Sequence, residues 1–146
     1  DQMKVFIENE AGSDQKNLFD EKTLEYKKTV TVSRKYPYPY GFVLNTSSGD
    51  GDNLDCFVLS NRPLKSKEII EVDAIGMMEQ FEDGQEDHKV LAVLPGENVE
   101  ITEEIKATLK DFVEHVFDHL PGKKVKAGKF YGKEEALKLL EKCIDS

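Results

Sequence analysis

The chain has 146 residues, enough for one compact domain with a real hydrophobic core. Hydrophobic residues make up 38% and charged residues 34%, which describes a soluble globular protein on the polar side, and no apolar run approaches the length of a membrane span. A net charge of −9 argues against a nucleic-acid or anionic-membrane partner, since both need basic patches, and it accommodates metal binding, although surplus Asp and Glu often only solvates a surface.

The first residues, Asp1 to Lys4, lack the basic-then-apolar layout of a secretory signal. Short β-type runs then dominate two-thirds of the chain: Val5–Glu8, Leu24–Val32, Gly41–Asn45, Cys56–Leu59, Ile69–Ile75 and Lys89–Leu94. Turn-rich pieces separate them at Glu10–Gln15, Ser47–Asp52, Asn61–Lys67 and Glu79–Asp87. Thr29 to Val32 alternates as a half-buried strand does. The last third turns helical. Ile105, Leu109, Phe112, Val113, Val116 and Phe117 form one apolar stripe, Glu103 and Glu104 suit its start by charge–dipole attraction, and Pro121-Gly122 ends it. A second helix follows Gly132, with Ala136, Leu139, Leu140, Cys143 and Ile144 on one face. Strands first and helices after predict a single domain over residues 1–146, a small, mainly antiparallel β-barrel flanked by two C-terminal helices. Cys56 and Cys143 are isolated, have no Cys-x-x-Cys spacing and read as buried free thiols, which fits a reducing cytoplasm.

Asp50-Gly51-Asp52-Asn53-Leu54-Asp55 packs three carboxylates into six residues between two apolar runs. Two carboxylates about 5 Å apart repel by roughly 3 kcal/mol at an effective dielectric near 20. A turn can point such charges into water; a convergent cluster needs cations or must hold protons. In an extended segment Asp50 and Asp52 share a side, and a bend through Gly51–Asn53 brings Asp55 back to it. An EF-hand does not fit, because Asp55 falls where the sharp-turn glycine is required. A second acidic loop runs from Glu79 to Asp87, with Lys89 opening a strand just after it. Each loop alone reads as solvated charge more readily than as a metal site. Together, with lysines nearby, they suggest metal–phosphate chemistry with hard divalent cations.

These residues resemble family I soluble inorganic pyrophosphatase. The family motif Asp-Gly-Asp-Pro-apolar-Asp matches Asp50 to Asp55, Tyr-Pro-x-Asn-Tyr-Gly-Tyr matches Tyr36 to Phe42, and a segment closing in Asp-x-Lys matches Gly76 to Lys89. The likeness continues through Phe112-Val113-Glu114-His115 and covers nearly the whole chain. It implies an OB-like five-stranded barrel and hydrolysis of pyrophosphate, or a related phosphoanhydride, by metal-activated water, with Mg²⁺ as cofactor and Mn²⁺ as the alternative. Carried over by position, Asp50, Asp55 and Asp87 hold the metals, with Glu82 where the family usually has an Asp. Asp52 takes the proton from the attacking water, Lys16, Lys28, Tyr40 and Lys89 surround the substrate phosphates, and Glu8 stands at the site's edge. The resemblance further implies a homo-oligomer, a hexamer in a bacterial source.

Four departures stand out. Lys28 replaces an arginine and loses its planar two-point fork. Val116 and Phe117 stand where the family has a Tyr-Lys pair, and Leu18 replaces a glutamate. Lys28, Val116 and Phe117 concern the leaving-phosphate pocket, for which Lys123, Lys124, Lys126 and Lys129 are candidate replacements, whereas the glutamate that Leu18 replaces helps hold a further metal. The alternative is a divergent member that binds metal and a phosphate ligand with altered substrate preference or lost activity. His115 and His119 have a zinc-compatible spacing but no third ligand, so they read as surface or helix-end residues. Tyr36, Tyr38 and Tyr40 alternate as a base-stacking face would, but the acidic charge opposes nucleic acid, and Pro37 and Pro39 instead hold the run extended so that Tyr40 projects into the site. Met77-Met78 reads as core or subunit contact.

Overall fold

A computed structural model describes residues 2–145. Its strands are β1 (Gln2–Asn9), β2 (Gln15–Phe19), β3 (Tyr26–Thr31), β4 (Tyr40–Val43), β5 (Asp55–Val58), β6 (Ile69–Glu82), β7 (Gln85–Glu86), β8 (Lys89–Val93) and β9 (Val125–Gly132). Helix α1 (Glu103–His115) precedes β9, and α2 (Lys133–Cys143) follows it. Strands β1, β4, β5, β8 and β6 pair in that order, and β6 pairs back onto β1, so five strands close a ring. Closure depends on the length of β6. Its first residues, Ile69–Asp73, pair with β1 and its middle with β8, while its far half carries β9.

The expected five-stranded barrel is therefore present, with one difference. The β5–β8 pair is parallel, while the other four seams are antiparallel. The chain leaves β5, runs along β6 and turns back at β7, so β8 returns in the direction of β5. Every ring strand feeds one buried cluster that includes Ile7, Val43, Val58, Val72 and Val90, and α2 adds Ala136, Leu140 and Cys143 to it. The alternate residues Phe57, Leu91 and Val93 face the other way and meet Leu109, Phe112 and Val113 of α1. Helix α1 starts where its side chains direct: Thr102 Oγ1 accepts the Ile105 N–H at 3.2 Å, and Glu103 and Glu104 fill the first turn.

Three strands were not expected: β2, β9 and the two-residue β7. In β2 only Phe19 is buried, and in β9 only Val125, so neither carries an apolar run of its own. Pairing with β3 and with β6 orders them instead. The predicted turn over Glu79–Asp87 is mostly strand: β6 runs to Glu82, and the reversal is confined to Asp83-Gly84, both at positive φ as a two-residue hairpin demands. Leu24 lies in a turn at positive φ rather than in β3. Helix α1 ends at His115, so Val116 and Phe117 lie past it, although the Val116 N–H still bonds to the Phe112 carbonyl. Cys56 and Cys143 are free and buried, and Met77 and Met78 lie in the core.

Candidate active site

A cleft of about 250 Å³ opens between the barrel and α1. Its acidic side comes from the 48–52 turn. Gly51 adopts φ 86°, the Gly51 N–H bonds to the Ser48 carbonyl, and Asp50 Oδ1 accepts from the Asp52 N–H at 2.9 Å and from the Ser48 hydroxyl. The turn leads into a buried anchor. Asn53 Nδ2 donates to the Val43 carbonyl at 3.1 Å, and the Leu54 N–H donates to Thr46 Oγ1 at 3.0 Å. Asp55 then opens β5 beside the start of β8. Tyr40 opens β4, and Gly41 next to it must be glycine, since a Cβ there would strike the Phe6 carbonyl oxygen.

Lys89 occupies the floor. Its Nζ lies 2.5 Å from Asp55 Oδ2 and 3.0 Å from Asp87 Oδ2, and its side chain is 4% exposed. Burial pulls its pKa down, but the two carboxylates outweigh burial and hold it above the ordinary lysine value. The acids around it are pushed up. Burial, with Asp55 second, raises Glu8 to about 8. Burial raises Glu21 to about 7, helped by Asp55, Asp52 and Asp50 and opposed by the Asn53 N–H. Asp52 rises through burial and then Asp50 and Asp55, and Asp87 through burial, with Lys89 opposing. Burial also pushes the Tyr40 phenol well up, so it stays a donor.

Nine of the predicted site residues line this cleft: Glu8, Lys16, Tyr40, Asp50, Asp52, Asp55, Glu82, Asp87 and Lys89. Lys28 does not. It is exposed on β3, opposite Leu18, and β3 is the outer strand of the β2–β3 hairpin, one strand farther from the barrel. Of the four candidate replacement lysines only Lys123 reaches the cleft lining. His115 pairs with Asp118 and His119 with Ser33, so the two histidines serve separate contacts. Tyr36 and Tyr40 are buried against Phe112 and Phe57, with ring centroids 4.6 and 4.8 Å apart.

Two cleft residues escaped sequence reasoning. Glu21, in the β2–β3 turn, accepts the Asn53 N–H at 2.8 Å through Oε1; nothing local marks it. Gln80 was legible: period two along β6 puts Met78, Gln80 and Glu82 on one side, leading from the core into the cleft. Gln80 is 6% exposed, and its Oε1 is buried without a hydrogen-bond partner among the described residues.

Among the described residues no three carboxylates already close around a common point, because Asp55 and Asp87 grip Lys89 instead. The donor set nevertheless fits hard divalent cations. It is all oxygen, its seven carboxyl side chains outnumber the three lysines of the cleft, and it includes the unpartnered Gln80 oxygen.

A closed OB-like barrel with carboxylates and lysines facing one small cleft is a scaffold for holding a compact polyanion beside cations. The family described as inorganic pyrophosphatase matches residues 5–146, and the chain belongs to it. An inorganic pyrophosphatase of Nanoarchaeum equitans is 34% identical over 97% of this chain and 95% of its own length, and one of Saccharolobus solfataricus is 31% identical over 99% and 91%. The solved structure of an inorganic pyrophosphatase from Coxiella burnetii superposes with a TM-score of 0.89 at 31% identity, covering 99% of this chain and 94% of that one.

Proposed function

We propose that this protein hydrolyses inorganic pyrophosphate to two phosphates with Mg²⁺ as its cofactor and Mn²⁺ as a substitute. The observation that carries the reading is the meeting of Asp50, Asp52 and Asp55 with Asp87 and Lys89 in one cleft, two acidic segments far apart in the chain. Asp50, Asp55 and Asp87, with Glu82, would hold the ions. Bound cations would supply charge neutralisation and a water acidic enough to act near neutral pH. Asp52 takes the proton of the attacking water; among the described residues its carboxylate has no hydrogen-bond partner, so both oxygens are free for it. Lys16, Lys89 and the protonated Tyr40 hold phosphate oxygens, so the chemistry is mostly positioning and charge neutralisation. Lys28 has no contact role here. The family reading extends to a cytoplasmic homo-oligomer, a hexamer in a bacterial source, which light scattering measures directly.

A second reading rests on Leu18, Val116 and Phe117, three apolar side chains on the cleft wall. In it the chain binds metal and a phosphate ligand but prefers another phosphoanhydride or turns over slowly. Phosphate release from pyrophosphate, tripolyphosphate and nucleoside triphosphates, each with Mg²⁺ and Mn²⁺, separates the readings. Pyrophosphate as the fastest substrate is the expected result; a faster tripolyphosphate or nucleotide overturns it.

Metal binding has its own readout. Free Mg²⁺ at a hundred times its Kd is expected to stabilise the fold by about 2.7 kcal/mol per site. Thermal melts across a Mg²⁺ series check this, and a Tm indifferent to millimolar Mg²⁺ contradicts the cation site. Glu8 gives a pH signature in the metal-free protein. Its folded pKa near 8 exceeds the ordinary 4.5, so between these values the folded state binds the extra proton. Stability therefore falls as pH rises through that window. Glu8→Gln removes this penalty, so it is expected to raise Tm at pH 8 and to leave it nearly unchanged at pH 4.5. Equal shifts at both values would contradict the assignment.

A further inference from the structure

We propose that Phe117 is a cation–π platform that sets the ammonium groups of Lys16 and Lys123 at one end of the cleft, making that end a phosphate site. The inference rests on the pyrophosphatase reading, which places two phosphates in the cleft. Lys123 Nζ lies 4.2 Å from the centroid of the Phe117 ring, and Lys16 Nζ lies 5.9 Å from it. Lys16 Nζ also sits 5.7 Å from the Tyr40 ring, as does Lys89 Nζ. Two aromatic faces thus gather three lysines from separate parts of the chain: β2, β8 and the segment before β9.

The platform itself is held firmly. Val116, immediately before it, is 4% exposed in the core packed against α1, and its N–H still bonds to Phe112. The ring therefore leaves the core at a fixed point, and a second ring, His119, lies 6.4 Å away. Lysines on flexible stems lose rotamer freedom when they converge on an anion. The negative face of a phenyl ring attracts an ammonium and limits that freedom beforehand. Lys123 also meets Glu82 Oε1 at 2.7 Å, but an ammonium has three donors, so two stay free for phosphate oxygens. Phe117 has no hydrogen-bond donor on its side chain, so its part is positioning, exerted through Lys16 and Lys123.

The test compares Phe117→Leu, which keeps an apolar side chain without the π face, with Phe117→Tyr, which restores the ring. Binding of inorganic phosphate in the presence of Mg²⁺ is measured by calorimetry, and KM and kcat for pyrophosphate are measured separately. Phe117→Leu is expected to weaken phosphate binding by about five- to tenfold and to raise KM more than it lowers kcat. Phe117→Tyr is expected to recover the affinity. In Phe117→Leu, the added change Lys123→Met is expected to weaken phosphate binding less than it does in the wild type, because both variants act on the same contact. Wild-type affinity in Phe117→Leu, or equal losses in the Leu and Tyr variants, overturns the platform. A wild-type protein that fails to hydrolyse pyrophosphate overturns the activity instead, while a phosphate Kd that still depends on the ring supports the platform. Melting curves confirm that each variant is folded.

Discussion

Asp52→Asn is expected to lower the rate of pyrophosphate hydrolysis by about 10²- to 10⁴-fold at neutral pH, the range for removing a positioned general base. The substitution is nearly isosteric and removes the charge alone. Asp52 is exposed, and the bonds that hold its turn use its backbone N–H and carbonyl, not its carboxylate. The fold should therefore change by no more than about 0.5 kcal/mol. The pH dependence should change too. Burial, Asp50 and Asp55 hold the Asp52 carboxyl above the usual Asp value, so the base form is lost on acidification earlier than for a free aspartate. The wild-type rate should fall on the acid side as this group protonates, and the variant should lack that component. Phosphate release in Mg²⁺ across a pH series measures both, with the Mg²⁺-dependent rise in Tm as the control for an intact cation site. Equal rates for the two proteins would remove Asp52 from the role of base.

The legible parts of this chain are those where the residues that line the cleft lie close together in sequence. Asp50 to Asp55 lies within one turn and the start of one strand, so period two plus a tight bend at Gly51 anticipates where its carboxylates point. Lys89 opens β8 and Asp87 lies two residues before it, so both side chains reach the same cleft. Helix α1 was legible because its apolar stripe and acidic first turn agree, and the structure adds the Thr102 cap. What escaped depends on partners distant in sequence. Strand β9 has one buried residue and contains two glycines; it exists because β6 extends past the barrel and offers it an edge. The place of Lys28 follows from which strand of the β2–β3 hairpin lies against β1, and side-chain pattern does not encode that. Glu21 enters the cleft because Asn53 has a backbone N–H to be satisfied, where the family motif has a proline with none. Lys123 was one of four similar lysines, and only its contacts with Glu82 and Phe117 distinguish it.

Lys89→Met is expected to destabilise the metal-free protein by about 3 kcal/mol, the scale for removing one partner of a buried ion pair. The ammonium is nearly inaccessible and lies between Asp55 and Asp87, so its loss leaves two carboxylates facing each other with no counter-charge. Repulsion at about 5 Å is itself roughly 3 kcal/mol at an effective dielectric near 20, and the fifth or so of each carboxylate side chain that is exposed keeps the sum from growing further. The sign with pH follows. Burial already raises the Asp87 carboxyl, and removing Lys89 removes the charge that opposes that rise, so the variant recovers stability relative to the wild type as pH falls and Asp87 takes up a proton. The deficit should be largest at neutral pH and should shrink toward pH 4.5. Divalent ions act on the same imbalance, so saturating Mg²⁺ should raise the Tm of the variant by more than it raises that of the wild type. Catalysis should not recover with the fold. In the proposed role Lys89 would also donate to phosphate, and losing a charged hydrogen bond of about 1.5–3 kcal/mol would correspond to roughly ten- to a hundredfold in kcat/KM. Melts with and without Mg²⁺, at both pH values and paired with initial rates, separate the two roles. If Mg²⁺ stabilises the variant no more than the wild type, Asp55 and Asp87 do not share a cation, and the metal site must be drawn from the other carboxylates of the cleft.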